Sequence, residues 1–289
     1  MKTLRQNRYP FLVCISLGLL TFAQAFQTKH REFSRSNEKE LRVILEISFA
    51  SVSIEQGEQD LTASIDYDID ETEKQRLHIS YDISHGIGTL RLKLKETSHF
   101  WKSNEDDDNG HQHIDLKLSN AIPISLETEL GAGTGEIDLT NLQIKEMKLS
   151  TGASSVTLKC SQPNPIFAED ITIETGVSKF TGTDLGNLNF RNMKFSGGVG
   201  SYKLNFNGKF LQSAEVKIEI GLGSLNMSIP KTIPAKLVYD DNWLSSFNLD
   251  DDFEKQRDGV YETEDFQDAF KRLTIRLESG LGSVRINRR

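Results

Sequence analysis

Glu129, Glu174, Glu219 and Glu278 each stand two residues before a glycine, at Gly131, Gly176, Gly221 and Gly280. Carboxylates repeated at one place on one face can hold a cation or accept hydrogen bonds from a sugar. A pair of them at the right separation is also what acid-base glycoside cleavage requires. Cleavage further needs one carboxyl kept protonated by desolvation, and an exposed ladder supplies no such environment. In chain order the full row reads Glu46, Ser84, Glu129, Ser150, Glu174, Ser196, Glu219, Asp241, Glu278, so acid alternates with serine over most of its length. With rungs about 4.8 Å apart, that alternation holds neighbouring carboxylates nearly two rungs from each other and limits like-charge repulsion. A solvated face is the expected outcome, and a linear acceptor array for a cationic or sugar ligand is the sharper reading.

Other chemistries find less support. All six histidines (30, 78, 85, 99, 111 and 113) precede residue 114, so the later chain lacks the commonest general base and zinc ligand. No nucleophile elbow, phosphate loop or His-Glu-x-x-His pattern occurs, and no cofactor is implied. The acidic run Asn104–Gly110 places Glu105, Asp107 and Asn109 in alternate positions before a glycine, as a calcium loop would. The position that should supply the closing bidentate carboxylate is Leu116, so a polar turn is expected and no metal site. Cys160 lies on the inward side of Val156-Thr-Leu158-Lys-Cys160, where a buried structural thiol is expected.

The elements that would position the glutamates are set by a repeat. Its clearest copies are Ile218-Glu-Ile-Gly221-Leu-Gly-Ser-Leu-Asn-Met227, Phe195-Ser-Gly-Gly198-Val-Gly-Ser-Tyr-Lys-Leu204 and Leu277-Glu-Ser-Gly280-Leu-Gly-Ser-Val-Arg-Ile286. Looser copies surround Gly152, Gly176, Gly86, Ser48 and Trp243, and the copy at Gly131-Ala-Gly133 leaves open which glycine holds the corner. Anchors fall at 48, 86, 131, 152, 176, 198, 221, 243 and 280, spaced 21 to 24 residues through the middle and 37 to 45 at the flanks. A short recurring unit cannot bury its own apolar face and must stack on its neighbours. Period-two alternation, as in Val216-Lys-Ile218-Glu-Ile220, makes the units strands. The chain is therefore expected to be an all-β solenoid of about nine strand-glycine-strand rungs. An antiparallel sandwich is the alternative, but it does not need the same corner residues at near-constant spacing. Gly86, Gly131, Gly152, Gly176, Gly198, Gly221 and Gly280 are the expected corners, each allowing a positive φ and close approach between rungs. The flanks leave room for extra hairpins, with candidate strands at Leu61–Tyr67, Arg76–Tyr81 and His113–Leu118.

Residues 1–25 run from Lys2, Arg5 and Arg8 through an apolar stretch to Ala23-Gln-Ala25, the order of a secretory signal peptide. The expected divisions are that signal, an N-terminal β region over 26–120 containing the acidic loop, and the tight repeats over 121–289 with a capping insertion near 240–270. Losing the three basic residues of the signal takes the formal net charge from −8 to −11, which argues against nucleic acid as a partner. Arg285, Arg288 and Arg289 on the last strand are expected to guard an open sheet edge.

The Gly-φ-Gly-Ser-φ-x-φ corners resemble those of the toast-rack family of bacterial envelope proteins, which is related to adhesin-like domains. The stretch from Trp243 through Asp251-Asp-Phe253 and Asp258-Gly-Val-Tyr261 to Gly280-Leu-Gly-Ser-Val284 is similar to that family too. The resemblance covers most of the chain. It implies an exported β-solenoid of the cell envelope, periplasmic, surface-exposed or secreted, whose partner is an envelope protein or a glycan. It offers no catalytic residues to carry over. The chain is accordingly expected to be a non-enzymatic scaffold or adhesin-like protein, with a carbohydrate-binding or carbohydrate-processing solenoid as the alternative.

Overall fold

The computed structural model describes residues 28–69, 75–96, 112–240 and 245–289. The signal segment, the acidic run Asn104–Gly110, Asp241 and Trp243 lie outside the described residues. The strands are β1 (Lys29–Ser34), β2 (Glu40–Gln56), β3 (Leu61–Asp68), β4 (Gln75–Ser84), β5 (Ile87–Glu96), β6 (His113–Leu118), β7 (Ile124–Asp138) and β8 (Ile144–Lys159). They continue as β9 (Ala168–Thr183), β10 (Phe190–Asn205), β11 (Ala214–Ile229), β12 (Ala235–Asp240), β13 (Ser245–Leu249), β14 (Glu254–Arg257), β15 (Val260–Glu262) and β16 (Leu273–Arg288).

Seven long strands stack in parallel in the order β2, β7, β8, β9, β10, β11, β16. Their register keeps equivalent repeat positions level, so Ile173, Phe195, Ile218 and Leu277 line up from β9 to β16. Each strand bends at its glycine corner into two arms. In β11 the first arm buries Val216, Ile218 and Ile220 and the second buries Leu225, Met227 and Ile229, so both arms of every rung feed one core. Apolar alternation supplies the burial, and stacking supplies the partners that a single rung lacks. The chain is an all-β solenoid.

The two end layers are assembled from separate pieces. On the outer side of β2, β5 pairs along the first arm and β6 along the second. On the outer side of β16, β12 and β13 do the same. Seven continuous rungs and two composite layers thus make up the nine expected levels. The candidate flank strands all form, yet β3 and β6 pair with each other across the β4–β5 hairpin that separates them in sequence.

Two expectations change here. Gly86 is not a corner: with His85 it makes the two-residue turn of the β4–β5 hairpin, at φ 78° and 52°. Positive φ at both central residues suits the twist of a tight hairpin, and Ile-Ser-His-Gly86 imitates the corner motif only in composition. Arg288 does not guard an edge either. β13 and β12 cover β16, and Arg288 is buried, donating to the carbonyls of Ile233 at 2.9 Å and Lys231 at 3.3 Å and lying over the Phe253 ring.

The segments that close each rung carry a feature the sequence reading did not single out. Buried Asn164 accepts from the Ile144 amide at 3.1 Å and donates to the carbonyls of Ile144 at 2.7 Å and Leu188 at 3.1 Å. One level on, Asn187 donates to the Cys160 carbonyl at 2.9 Å and accepts from the Lys209 amide at 2.8 Å. These amides satisfy turn backbone groups that would otherwise be buried without partners.

Cys160 sits at the end of the second arm, buried, with its thiol donating to the Gln162 carbonyl at 3.2 Å. Burial, helped by Asp138 and Asp184, pushes the thiol up to about 12. At pH 8 the thiolate fraction is then on the order of 1 in 10,000, and the thiolate is the reactive form. The folded chain is expected to leave a thiol reagent unreacted at pH 8 over an hour, and to react fully in guanidinium; rapid labelling of the native chain would place the thiol at the surface.

Candidate functional site

The corners stack into columns, and those columns build the one face where the candidate residues meet. Glycines 131, 152, 176, 198, 221 and 280 form the first column. A Cβ at Gly176 would stand 2.9 Å from the Gly152 carbonyl oxygen, at Gly198 2.6 Å from that of Gly176, and at Gly221 2.8 Å from that of Gly198. Each of these six rungs therefore needs glycine because the backbone below approaches it. Positive φ, the other expected reason, belongs instead to the small residues two places later, at Gly133 (126°), Gly223 (147°) and Gly282 (144°). Gly131 and Gly133 hold one corner together, the first in the glycine column and the second level with Ala50 and Ser154.

With no side chains rising from the first column, a groove of about 870 Å³ runs along the stack. The glycines floor it, and Glu129, Ser150, Glu174, Ser196, Glu219 and Glu278 line one side. The four glutamates singled out by the sequence do share one site.

Their order differs from the chain-order expectation. Ser84 ends β4 in the hairpin, so it does not separate Glu46 from Glu129, which are directly level across the β2–β7 ladder. Glu219 and Glu278 likewise face each other across β11 and β16. Acid and serine alternate only from β7 to β11, and elsewhere lysine relieves the repulsion. Lys93 lies 2.7 Å from Glu46. Lys217 lies 2.6 Å from Glu219 and 3.9 Å from Glu278, and Lys194 adds a contact of 3.5 Å to Glu219. Lys217 holds the Glu219 carboxyl below the usual carboxylate range, as Lys93 does for Glu46. A glycosidase acid needs the opposite shift. Glu129 and Glu174 make no ion pair among the described residues.

The largest feature of the face escaped the sequence reading. The residue after each column glycine, and Phe49 after Ser48 on β2, points outward, giving a ridge of Phe49, Ala132, Ala153, Val177, Val199, Leu222 and Leu281, one per rung. Val177 is 63% exposed, and Val199, Leu222 and Leu281 are 44–47% exposed. Period two predicts Leu222 to point inward after Ile220, but the bend interrupts the alternation and Leu225 resumes it. Beyond the ridge runs a mostly hydroxyl row, in which Thr134 donates to Ser51 at 2.8 Å and Ser224 to Ser201 at 3.2 Å.

Among the described residues no group of three or more His, Cys, Asp or Glu is placed to hold a metal ion, and no helix is long and apolar enough to cross a membrane. The fold and its corner face define a parallel β-solenoid with a grooved, ridged exterior. The family model described as the N-terminal domain of toast_rack, DUF2154, matches residues 22–181, more than half of the chain. The chain belongs to the toast-rack, adhesin-like family.

Among solved structures, a proposed cell adhesion protein from Clostridium sporogenes is similar at 16% identity and a TM-score of 0.47, covering 91% of this chain and 99% of that one. A proposed adhesin from Bacteroides fragilis matches at 12% identity and a TM-score of 0.40, over 91% and 98% of the two chains. A proposed lipid binding protein from Parabacteroides distasonis matches at 14% and 0.33, over 91% and 96%. No curated protein matches the chain.

Proposed function

We propose that this chain is an exported, non-enzymatic, adhesin-like scaffold of the bacterial cell envelope that binds its partner through the corner face. The observation that carries the reading is the ridge, where the exposed aliphatic side chains of Val177, Val199, Leu222 and Leu281 follow one another on successive rungs beside an open groove. Aligned apolar exposure of this kind marks interaction surfaces. Family membership supports the same reading, and the lowered Glu219 carboxyl gives no support to hydrolysis.

The test is co-sedimentation of the purified chain, residues 26–289, with envelope fragments from cells that produce it. Wild type is expected to pellet with the fragments, and Val199→Asp/Leu222→Asp is expected to stay in solution while melting normally. Wild type remaining in solution would overturn the reading.

A carbohydrate-binding solenoid is the second reading, favoured by Glu129 and Glu174, which line the groove beside the hydroxyls of Ser150 and Ser196. It requires an envelope glycan to raise the melting temperature and that rise to vanish in Glu129→Gln/Glu174→Gln.

A further inference from the structure

We infer that the partner of the corner face is a second copy of this chain, bound side by side with both stacks pointing the same way and each ridge lying in the other's groove. This deepens the reading above and rests on it.

The first argument is spacing. The ridge repeats once per rung, about 4.8 Å, and over six steps it extends about 29 Å. A helix laid along it repeats every 5.4 Å and drifts by most of a step over that length. A second solenoid has the same repeat and keeps its knobs level with the floor at every rung.

The second argument is shape. Ridge and groove lie next to each other on one face, because from β7 to β16 each ridge residue follows a floor glycine. A two-fold axis along the stack turns the face over sideways without changing level, and so places ridge over groove twice. Such an interface is self-complementary, as a two-fold dimer requires.

Charge complementarity is the third. The same operation sets the acidic row, two residues before the floor, against the partner's row three residues after it. Glu129 then meets Thr134, Glu219 meets Ser224, and Glu278 meets Ser283, with no carboxylate facing another. At the centre Glu174 meets Lys179, and neither makes an ion pair within the chain among the described residues. An anionic lipid surface gains nothing from the glutamates, and a flat one cannot fill a groove.

The contact strip is about 29 Å long and, because the strand bends within it, at most about 17 Å wide, the reach of five extended residues. Two such strips bury at most on the order of 1,000 Å², below the standard size for specific complexes, so the dimer is expected to be weak, dissociating at micromolar concentration.

Sedimentation velocity on the 26–289 chain from about 1 to 100 µM tests this, with thermal melts monitoring the fold of every variant. Wild type is expected to pass from monomer to dimer, and Val199→Asp to remain monomeric. Lys179→Glu and Glu174→Lys are each expected to weaken dimerisation at least tenfold, and the double exchange Glu174→Lys/Lys179→Glu to restore it to within about threefold. A wild type still monomeric at 100 µM overturns the inference, as does a dimer indifferent to Val199→Asp or a double exchange that fails to restore. A monomeric chain that still pellets with envelope fragments would leave the adhesive reading standing with a different partner.

Discussion

Gly223→Ala is expected to cost about 3 kcal/mol of folding stability, while Gly86→Ala costs about 1 kcal/mol. Both residues have positive φ, at 147° and 78°, and both replacements incur backbone strain. At Gly86 a new methyl group meets nothing within 4 Å, so strain is the whole cost. At Gly223 the methyl group points at the Gly200 carbonyl, whose carbon lies 2.9 Å away. That carbonyl belongs to the parallel ladder between β10 and β11. To admit the methyl group two rungs must separate at their corner, with loss of hydrogen bonds on either side. Urea denaturation of the two variants measures the contrast; equal costs would show that conformation alone, and not contact between rungs, selects glycine in this column.

Phe195→Ala is expected to be more damaging, at about 4 kcal/mol. Phe195 is fully buried in β10, with ring centroids 5.2 Å from Phe180 on β9 and 5.3 Å from Tyr202 across the bend of its own strand. It therefore joins the two arms of one rung and one rung to the next. The space left by the ring cannot close without moving a ladder held in register on both sides. A loss under about 2 kcal/mol in the same denaturation experiment would mean that the core collapses around the gap and that the register is softer than the stacking implies.

The sequence made the repeat visible because stacking imposes identical demands on every rung. Gly152, Gly176, Gly198, Gly221 and Gly280 could be placed on one column from spacing alone, and the inward residues followed from alternation. The same logic put the four glutamates on one line. It failed where neighbours in space are not neighbours in the repeat. Ser84 took a place in the predicted row because residues 83–92 imitate a corner, whereas the backbone there is a hairpin. The glycine pattern of that segment does not separate the two, since Gly86-Ile-Gly88-Thr-Leu90 has the spacing of Gly221-Leu-Gly223-Ser-Leu225. Arg288 was misplaced for a related reason: only the structure shows that β12 and β13 return to cover the strand that carries it.

The ridge was hidden by the rule that made the strands legible. Strict alternation assigns Leu222 and Val199 to the core, and only the geometry of the bend turns them out. A signal was nonetheless present. Two small residues flank each of these positions, and a core side chain between two glycines would have little to pack against. Gly197 is a similar case, unexplained by the corner motif. A Cβ there would stand 2.6 Å from the ring of Tyr202, so this glycine makes room for the aromatic that closes the bend.

The composite end layers also separate the rungs by how far apart in the chain their partners lie. Level partners through the middle are 21 to 24 residues apart, as Ser201 and Ser224 are at 23. Ser51 and Thr134, across β2 and β7, are 83 apart, and Glu219 and Glu278, across β11 and β16, are 59 apart. Closing the longer loops costs about 1 kcal/mol more conformational entropy than closing a central one. Before those junctions form, the excursions containing β3 to β6 and β12 to β15 have no flat edge to lie on. Assembly is therefore expected to run outward from the middle of the sequence, with β7 to β11 pairing first and the first and last long strands joining once their detours are folded back.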